Sequence, residues 1–238
     1  MIETTNAIVI KTIRYGDTSL ITTCYTQNFG IKSYMLRGIL KAKKAKIKAA
    51  YFQPLMQLNL SANHNNKGNL SSIRDLEVSK FYNSIYTDIK KQTIALFLAE
   101  VIYYSIREEE QNSSLYQYLE TSFLWLDTHD KISNFHLLFL LNLTKFLGFY
   151  PETNDINALY FDLLEGTFTN HFKLNTVTGE NLVQFKKLLG INFDVLHTVD
   201  FSSSNRQTVL SILIQYFELH LGGFKKPKSL EVLKSVFS

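Results

Sequence analysis

Three observations predict an α+β chain with more than one domain. Five short stretches of strand-like alternation crowd into the first 80 residues. The third of them is followed by a longer connection, and after Ser79 the apolar spacing changes from two to about 3.6 residues. Five strands with one long link after the third is the layout of an OB-fold barrel, although other five-stranded barrels share it. The expected fold is therefore an N-terminal five-stranded OB-fold β-barrel over residues 1–79 and an all-α helical bundle over residues 80–238. A small irregular insert, residues 152–179, interrupts the bundle. At 238 residues and 45% apolar content the chain has ample material for a buried core, and three prolines with ten glycines favour regular elements.

The elements follow in order. Glu3 to Ile13 reads as the first strand, and Gly16-Asp17 turns it into a second over Ser19 to Thr26. Asn28-Phe29-Gly30 is a short hairpin signal, leading to a third strand over Ile31 to Arg37. Pro54 stands at the mouth of a fourth, Leu55 to Leu60, and a polar loop over 61–69, with His64, Lys67 and Gly68, leads to a fifth over Leu70 to Glu77. Phe81, Tyr82, Ile85, Tyr86 and Ile89 then begin a helical stripe, continued by Leu96, Phe97, Val101, Ile102 and Tyr104. Ser114 opens a capping-box pattern for the next helix, and Ser133 can cap a third over Phe135 to Leu147, apolar nearly all round and hence central. Gly148 and Pro151 end it. Helices resume at Glu180–Leu189, Asn205–Leu221 and about Ser229–Phe237.

The charge is unevenly spread. Residues 1–79 carry 11 Lys/Arg against 4 Asp/Glu, a balance of +7, whereas residues 80–238 balance at −3. Six of the twelve residues from Arg37 to Lys48 are basic: Arg37, Lys41, Lys43, Lys44, Lys46 and Lys48. Such a run repels itself unless a partner supplies negative charge at regular intervals, as a phosphate backbone does; the alternative is a solvated loop. Lys11, Arg14, Lys32 and Arg74 extend the basic surface or are ordinary exposed strand residues. OB barrels that bind single strands add aromatic stacking platforms. Tyr15, Tyr25, Phe29, Tyr34 and Tyr51 are available for that role or for the core.

No phosphate-binding glycine loop, zinc-protease motif, hydrolase elbow or dinucleotide fingerprint is present, and the six histidines lack ligand spacing. The chain is therefore expected not to be an enzyme and to hold no metal or cofactor. The single cysteine, Cys24, excludes an intramolecular disulfide and a Cys-rich zinc site, and suits a reduced, cytoplasmic setting. The Ala7–Ile10 run is too short for a signal peptide, and no window reaches the roughly 18 apolar residues of a membrane span.

Several segments carry a family resemblance through their order and spacing. They are Thr5-Asn6-Ala7-Ile8-Val9-Ile10-Lys11-Thr12-Ile13-Arg14-Tyr15-Gly16-Asp17, then Thr26-Gln27-Asn28-Phe29-Gly30, Arg37-Gly38 with the basic stretch to Lys48, Gln53-Pro54, and Leu147-Gly148-Phe149-Tyr150-Pro151. Along its whole length the chain resembles RecO, a family of bacterial recombination mediators. Many members carry a four-cysteine zinc knuckle after that proline. Residues 152–179 have no cysteine, and Phe161-Asp162-Leu163 with Gly166 and Phe168 resembles the replacement in zinc-free members.

The resemblance implies a nucleoid-associated protein that binds single- and double-stranded DNA and anneals complementary strands. It further implies work with RecR, contact with the acidic C-terminal tail of single-strand-binding protein, and help in loading RecA onto coated DNA. Arg37, Lys41, Lys43, Lys44, Lys46 and Lys48, with Lys32, Arg14 and Arg74, are the expected DNA contacts. A protein–protein adaptor and an RNA-binding OB protein are the alternatives.

Overall fold

The computed structural model describes residues 2–41, 46–64 and 70–237. Five antiparallel strands form the first sheet: β1 (Ile2–Tyr15), β2 (Ser19–Thr26), β3 (Gly30–Leu36), β4 (Gln57–Asn63) and β5 (Ile73–Lys80). Their order is β3-β2-β1-β4-β5. The long β1 serves two neighbours, pairing its first half with β4 and its second with β2 around an irregularity between Val9 and Lys11. A bulge of this kind bends a strand, as a closing barrel requires.

Closure comes from a short parallel bridge between Tyr34 and Ser71. Met35 N–H donates to the Ser71 carbonyl at 2.8 Å, and Ser71 N–H donates to that of Ser33 at 3.2 Å. The connectivity and closure are those of an OB-fold. Residues 70–72 thus form the seam, and β5 begins at Ile73, three residues later than the alternation suggested. The start of β4 moves for a different reason. Pro54 and Leu55 make a tight turn closed by Met56 N–H on the Gln53 carbonyl at 3.1 Å, with Leu55 at φ 67°. Leu55 is fully buried there, its N–H on the Val9 carbonyl.

The barrel interior collects one face of each strand, including Ala7, Val9, Cys24, Tyr34, Leu36, Leu58, Leu60 and Leu76. Burial pushes the Cys24 thiol up to about 12, with its contact to the Thr22 hydroxyl acting in the opposite sense. A thiol so placed is a small apolar core group and not a nucleophile.

Helix α1 spans Ile89–Ser105 and α2 spans Ser113–Thr128. The stripe from Phe81 to Tyr86 precedes α1 as turns instead of forming its first part. The Asp127 carboxylate at the end of α2 takes the N–H groups of Asn83, Ser84 and Ile85, which removes them from any helical ladder. Asp88 then caps α1 by accepting from Lys90 and Lys91. Asn112, not Ser114, caps α2, taking the Leu115 N–H at 2.9 Å.

Two compact units result, Met1–Thr128 and His129–Ser238, so α1 and α2 belong to the unit of the barrel. In the second unit α3 (Phe135–Phe146) is buried almost throughout. Its N-terminus carries no side-chain cap from Ser133 or Asn134; instead the Asn134 amide donates to the Val199 carbonyl. Three short strands, β6 (Tyr160–Asp162), β7 (Thr167–Thr169) and β8 (Thr176–Thr178), order the insert into a sheet, β7-β6-β8. Phe161, Phe168 and Val177 are buried, one from each strand. Helices α4 (Gly179–Lys186), α5 (Ser203–His220) and α6 (Leu230–Val236) complete the unit.

Candidate nucleic-acid interface

Above the Ser71 bridge, β3 and the start of β5 part. The gap is a groove of about 390 Å³, with Met35, Leu36, Ile39, Ile47, Leu70 and Ile73 as its apolar lining and Arg37 at its edge. Chain continuity places cations around it. Lys46 and Lys48 flank Ile47, Arg74 follows Ile73, and Lys41 lies two residues beyond Ile39 on a turn closed by its N–H and the Gly38 carbonyl. Arg37, Lys41, Lys46, Lys48 and Arg74 are all exposed. Gly38, at φ 67°, allows the chain to turn after β3. Lys43 and Lys44, like Lys67 and Gly68 in the β4–β5 loop, lie outside the described residues.

The expected cations fall into two sets. Arg37 lines the groove, and Lys41, Lys48 and Arg74 are exposed residues close in sequence to its lining. Lys46 joins them but bonds Asp75 at 2.6 Å, and that hydrogen bond holds the Asp75 carboxyl below its ordinary range. Both groups are largely exposed, so the pair is weak and exchangeable.

The others are engaged elsewhere. Lys32 reaches Glu109 at 2.7 Å with its side chain only 10% exposed. Arg14 folds onto its own hairpin, donating to the carbonyls of Gly16 and Asp17. Lys11 lies over the Tyr103 ring, 3.9 Å from its centre.

The aromatic set divides in the same way. Tyr25 and Tyr34 are buried, the first stacked on Tyr116, the second bonded through its hydroxyl to His64. Neither can stack on a base. Tyr15 is exposed, Tyr51 half-buried, and Phe29 half-buried against the His64 ring at 4.1 Å. Sequence reasoning missed the groove's apolar lining. The signal was Ile47 between Lys46 and Lys48, an apolar residue inside a charge run.

Among the described residues no group of three or more His, Cys, Asp or Glu side chains is arranged to hold a metal ion, and no helix is long and apolar enough to cross a membrane.

Comparison with known proteins adds the lineage. Residues 1–82 match the family model for the recombination protein O N-terminal region, and residues 86–231 match that for its C-terminal region. The chain belongs to the RecO family. It is 45% identical over 234 residues to the DNA repair protein RecO of Flavobacterium psychrophilum, with 98% of each chain covered. Identity to the proteins of the same name is 44% in Christiangramia forsetii and 38% in Bacteroides fragilis, over the full length of both chains in each case. RecO relatives are thus matched across barrel and helices alike, and the family is one of DNA repair proteins.

Proposed function

We propose that this chain is a non-enzymatic DNA-binding recombination mediator. Residues 1–79 act as the nucleic-acid-binding part, and in the helical remainder, residues 80–238, the cysteine-free insert replaces the zinc knuckle. The observation that supports this best is an apolar groove on an OB-fold barrel with Arg37 in its lining and the exposed cations Lys41, Lys46, Lys48 and Arg74 close to that lining in sequence. Exposed ammonium and guanidinium groups take phosphates at little desolvation cost, and the apolar lining receives base or sugar faces. Lys43 and Lys44 extend the same basic connection in sequence.

Annealing needs no catalytic residue. Neutralised phosphates let two strands approach, and base pairing drives the rest. In this reading the protein binds single- and double-stranded DNA, anneals complementary strands in the cytoplasm at the nucleoid, and acts with RecR to load RecA. The acidic C-terminal tail of single-strand-binding protein is its further partner.

The test is single-stranded DNA binding across a salt series, with wild type compared to a variant in which Lys41, Lys43, Lys44 and Lys46 are all Ala. With four to six phosphate contacts, log affinity should fall against log salt with a slope of about −3 to −4. The variant should lose up to about 3 of that slope while its unfolding curve stays unchanged. Equal slopes in both proteins would place DNA binding elsewhere. Tighter binding to RNA of the same sequence would favour an RNA protein, since RNA adds 2′-hydroxyls. Absence of binding to either would leave an adaptor.

A further inference from the structure

The free edge of β3 is shared between two covering segments. Its outward-facing residues are Ile31, Ser33 and Met35, and β2 takes the other side. Ser71 occupies the Ser33 and Met35 positions. Below it, the link between α1 and α2 takes the Ile31 position: Ile31 N–H donates to the Glu108 carbonyl at 3.0 Å. The contact is close enough to exclude a side chain at Gly30. A β-carbon there would meet the Glu108 carbonyl oxygen and lie 2.7 Å from that of Glu110.

This link is Arg107-Glu108-Glu109-Glu110-Gln111, and three consecutive carboxylates therefore lie on the barrel at the hairpin end of β3. All three are on exposed residues, and Glu109 holds the Lys32 ammonium. Covering an edge strand guards it against pairing with another chain. That purpose does not call for carboxylates, and a neutral segment would serve as well.

We propose that this acidic strap sets the length of single-stranded DNA that the barrel holds. The inference rests on the DNA-binding reading above. A strand seated in the groove at Arg37 and continuing along β3 would come to Lys32 next, but Lys32 is occupied and the surface around it is negative. From Arg37 to Ile31 is six residues, roughly 20 Å at strand rise. That is about two Debye lengths at physiological salt, so the strap leaves the contacts at the groove itself untouched. It acts only on a strand long enough to overrun them.

The experiment uses the full chain and labelled oligo-dT of increasing length, comparing wild type with E108Q/E109Q/E110Q. Glutamine keeps the size of each side chain, and the backbone contacts to Ile31 and Gly30 are unchanged. Glu109→Gln alone, which alters only the partner of Lys32, gives a second readout should the triple variant unfold. Short oligonucleotides should bind both proteins alike. For long ones the variant should bind about two- to five-fold tighter at physiological salt, with a slope steeper by about 0.7, one more phosphate. Adding Lys32→Ala should remove that gain.

Identical length dependence in wild type and variant overturns the inference while leaving DNA binding in place. A gain at every length, or one that survives Lys32→Ala, overturns it too, since the carboxylates would then act as diffuse charge and not as a boundary. If wild type shows no salt-dependent binding at any length, the DNA-binding reading itself fails and takes this inference with it.

Discussion

Gly30 has a left-handed backbone, φ 60°, and no room for a β-carbon beneath the Glu108–Glu110 backbone. Gly16 has nearly the same φ, 59°, but nothing within 4 Å of where a β-carbon would stand. Gly16→Ala should cost only the backbone penalty, about 1–2 kcal/mol, whereas Gly30→Ala adds overpacking and should reach roughly 2–4 kcal/mol. Urea unfolding of the two variants checks the difference. His136 offers a second residue-scale prediction. It is fully buried on α3, and burial, with Arg206 nearby as a smaller cause, pushes its imidazole down to about 3. The unfolded chain takes up that proton near pH 6.5, so the contribution of the neutral ring is complete above that pH and is lost as pH falls towards 3. The slope from this residue should approach about 1.4 kcal/mol per pH unit within that window. His136→Leu should flatten it, which urea midpoints measured from pH 7 to pH 4 would show.

At the scale of elements, side chains that compete for backbone N–H groups decide where helices begin. Ser114 carries a reasonable capping pattern in sequence, yet Asn112 holds the Leu115 N–H. Asn112→Ala should cost about 1 kcal/mol and Ser114→Ala within about half of that, measured as shifts in the thermal midpoint. The start of α1 follows the same logic at longer range. Tyr82 and Tyr86 carry apolar spacing, but their hydroxyls reach the carbonyls of Leu55 and Pro54. With Asp127 holding residues 83–85, these contacts turn the would-be first part of the helix into a set of anchors on the barrel. A contact 44 residues away in sequence, between Asn83 and Asp127, leaves no trace in local periodicity. Strand alternation was more legible, because a barrel wall buries one face throughout: β2 appears over Ser19–Thr26, the span its alternation marks.

At the scale of the whole molecule, charge separates the roles. The balance of +7 in residues 1–79 against −3 in the remainder concentrates positive charge in the first third of the chain. Lys225, Lys226 and Lys228 form an exposed basic cluster just before α6, but in the part of the chain whose balance is negative. Changing all three to Ala should alter the annealing rate of complementary oligonucleotides by less than about twofold, while the quadruple lysine variant of the basic connection slows it in step with its loss of binding. Stopped-flow annealing at several salt concentrations would measure both.

The sequence by itself did not mark the three short strands of the insert, but it determined the five strands of the barrel, the change to helices, the absence of cysteine from residues 152–179 and the basic character of the connection after β3. These follow from periodicity and composition, which are local. Only the tertiary structure decided which basic residues have free charge. Lys32 and Arg37 bracket the same strand and looked alike as candidates, but the fold brings Glu109 from 77 residues away onto one and leaves the other at an open groove. The same holds for Tyr34, which alternation left free to be a platform and barrel closure buried completely. A side chain's charge and shape are written in the sequence; its partner is set by which distant segment the fold lays beside it.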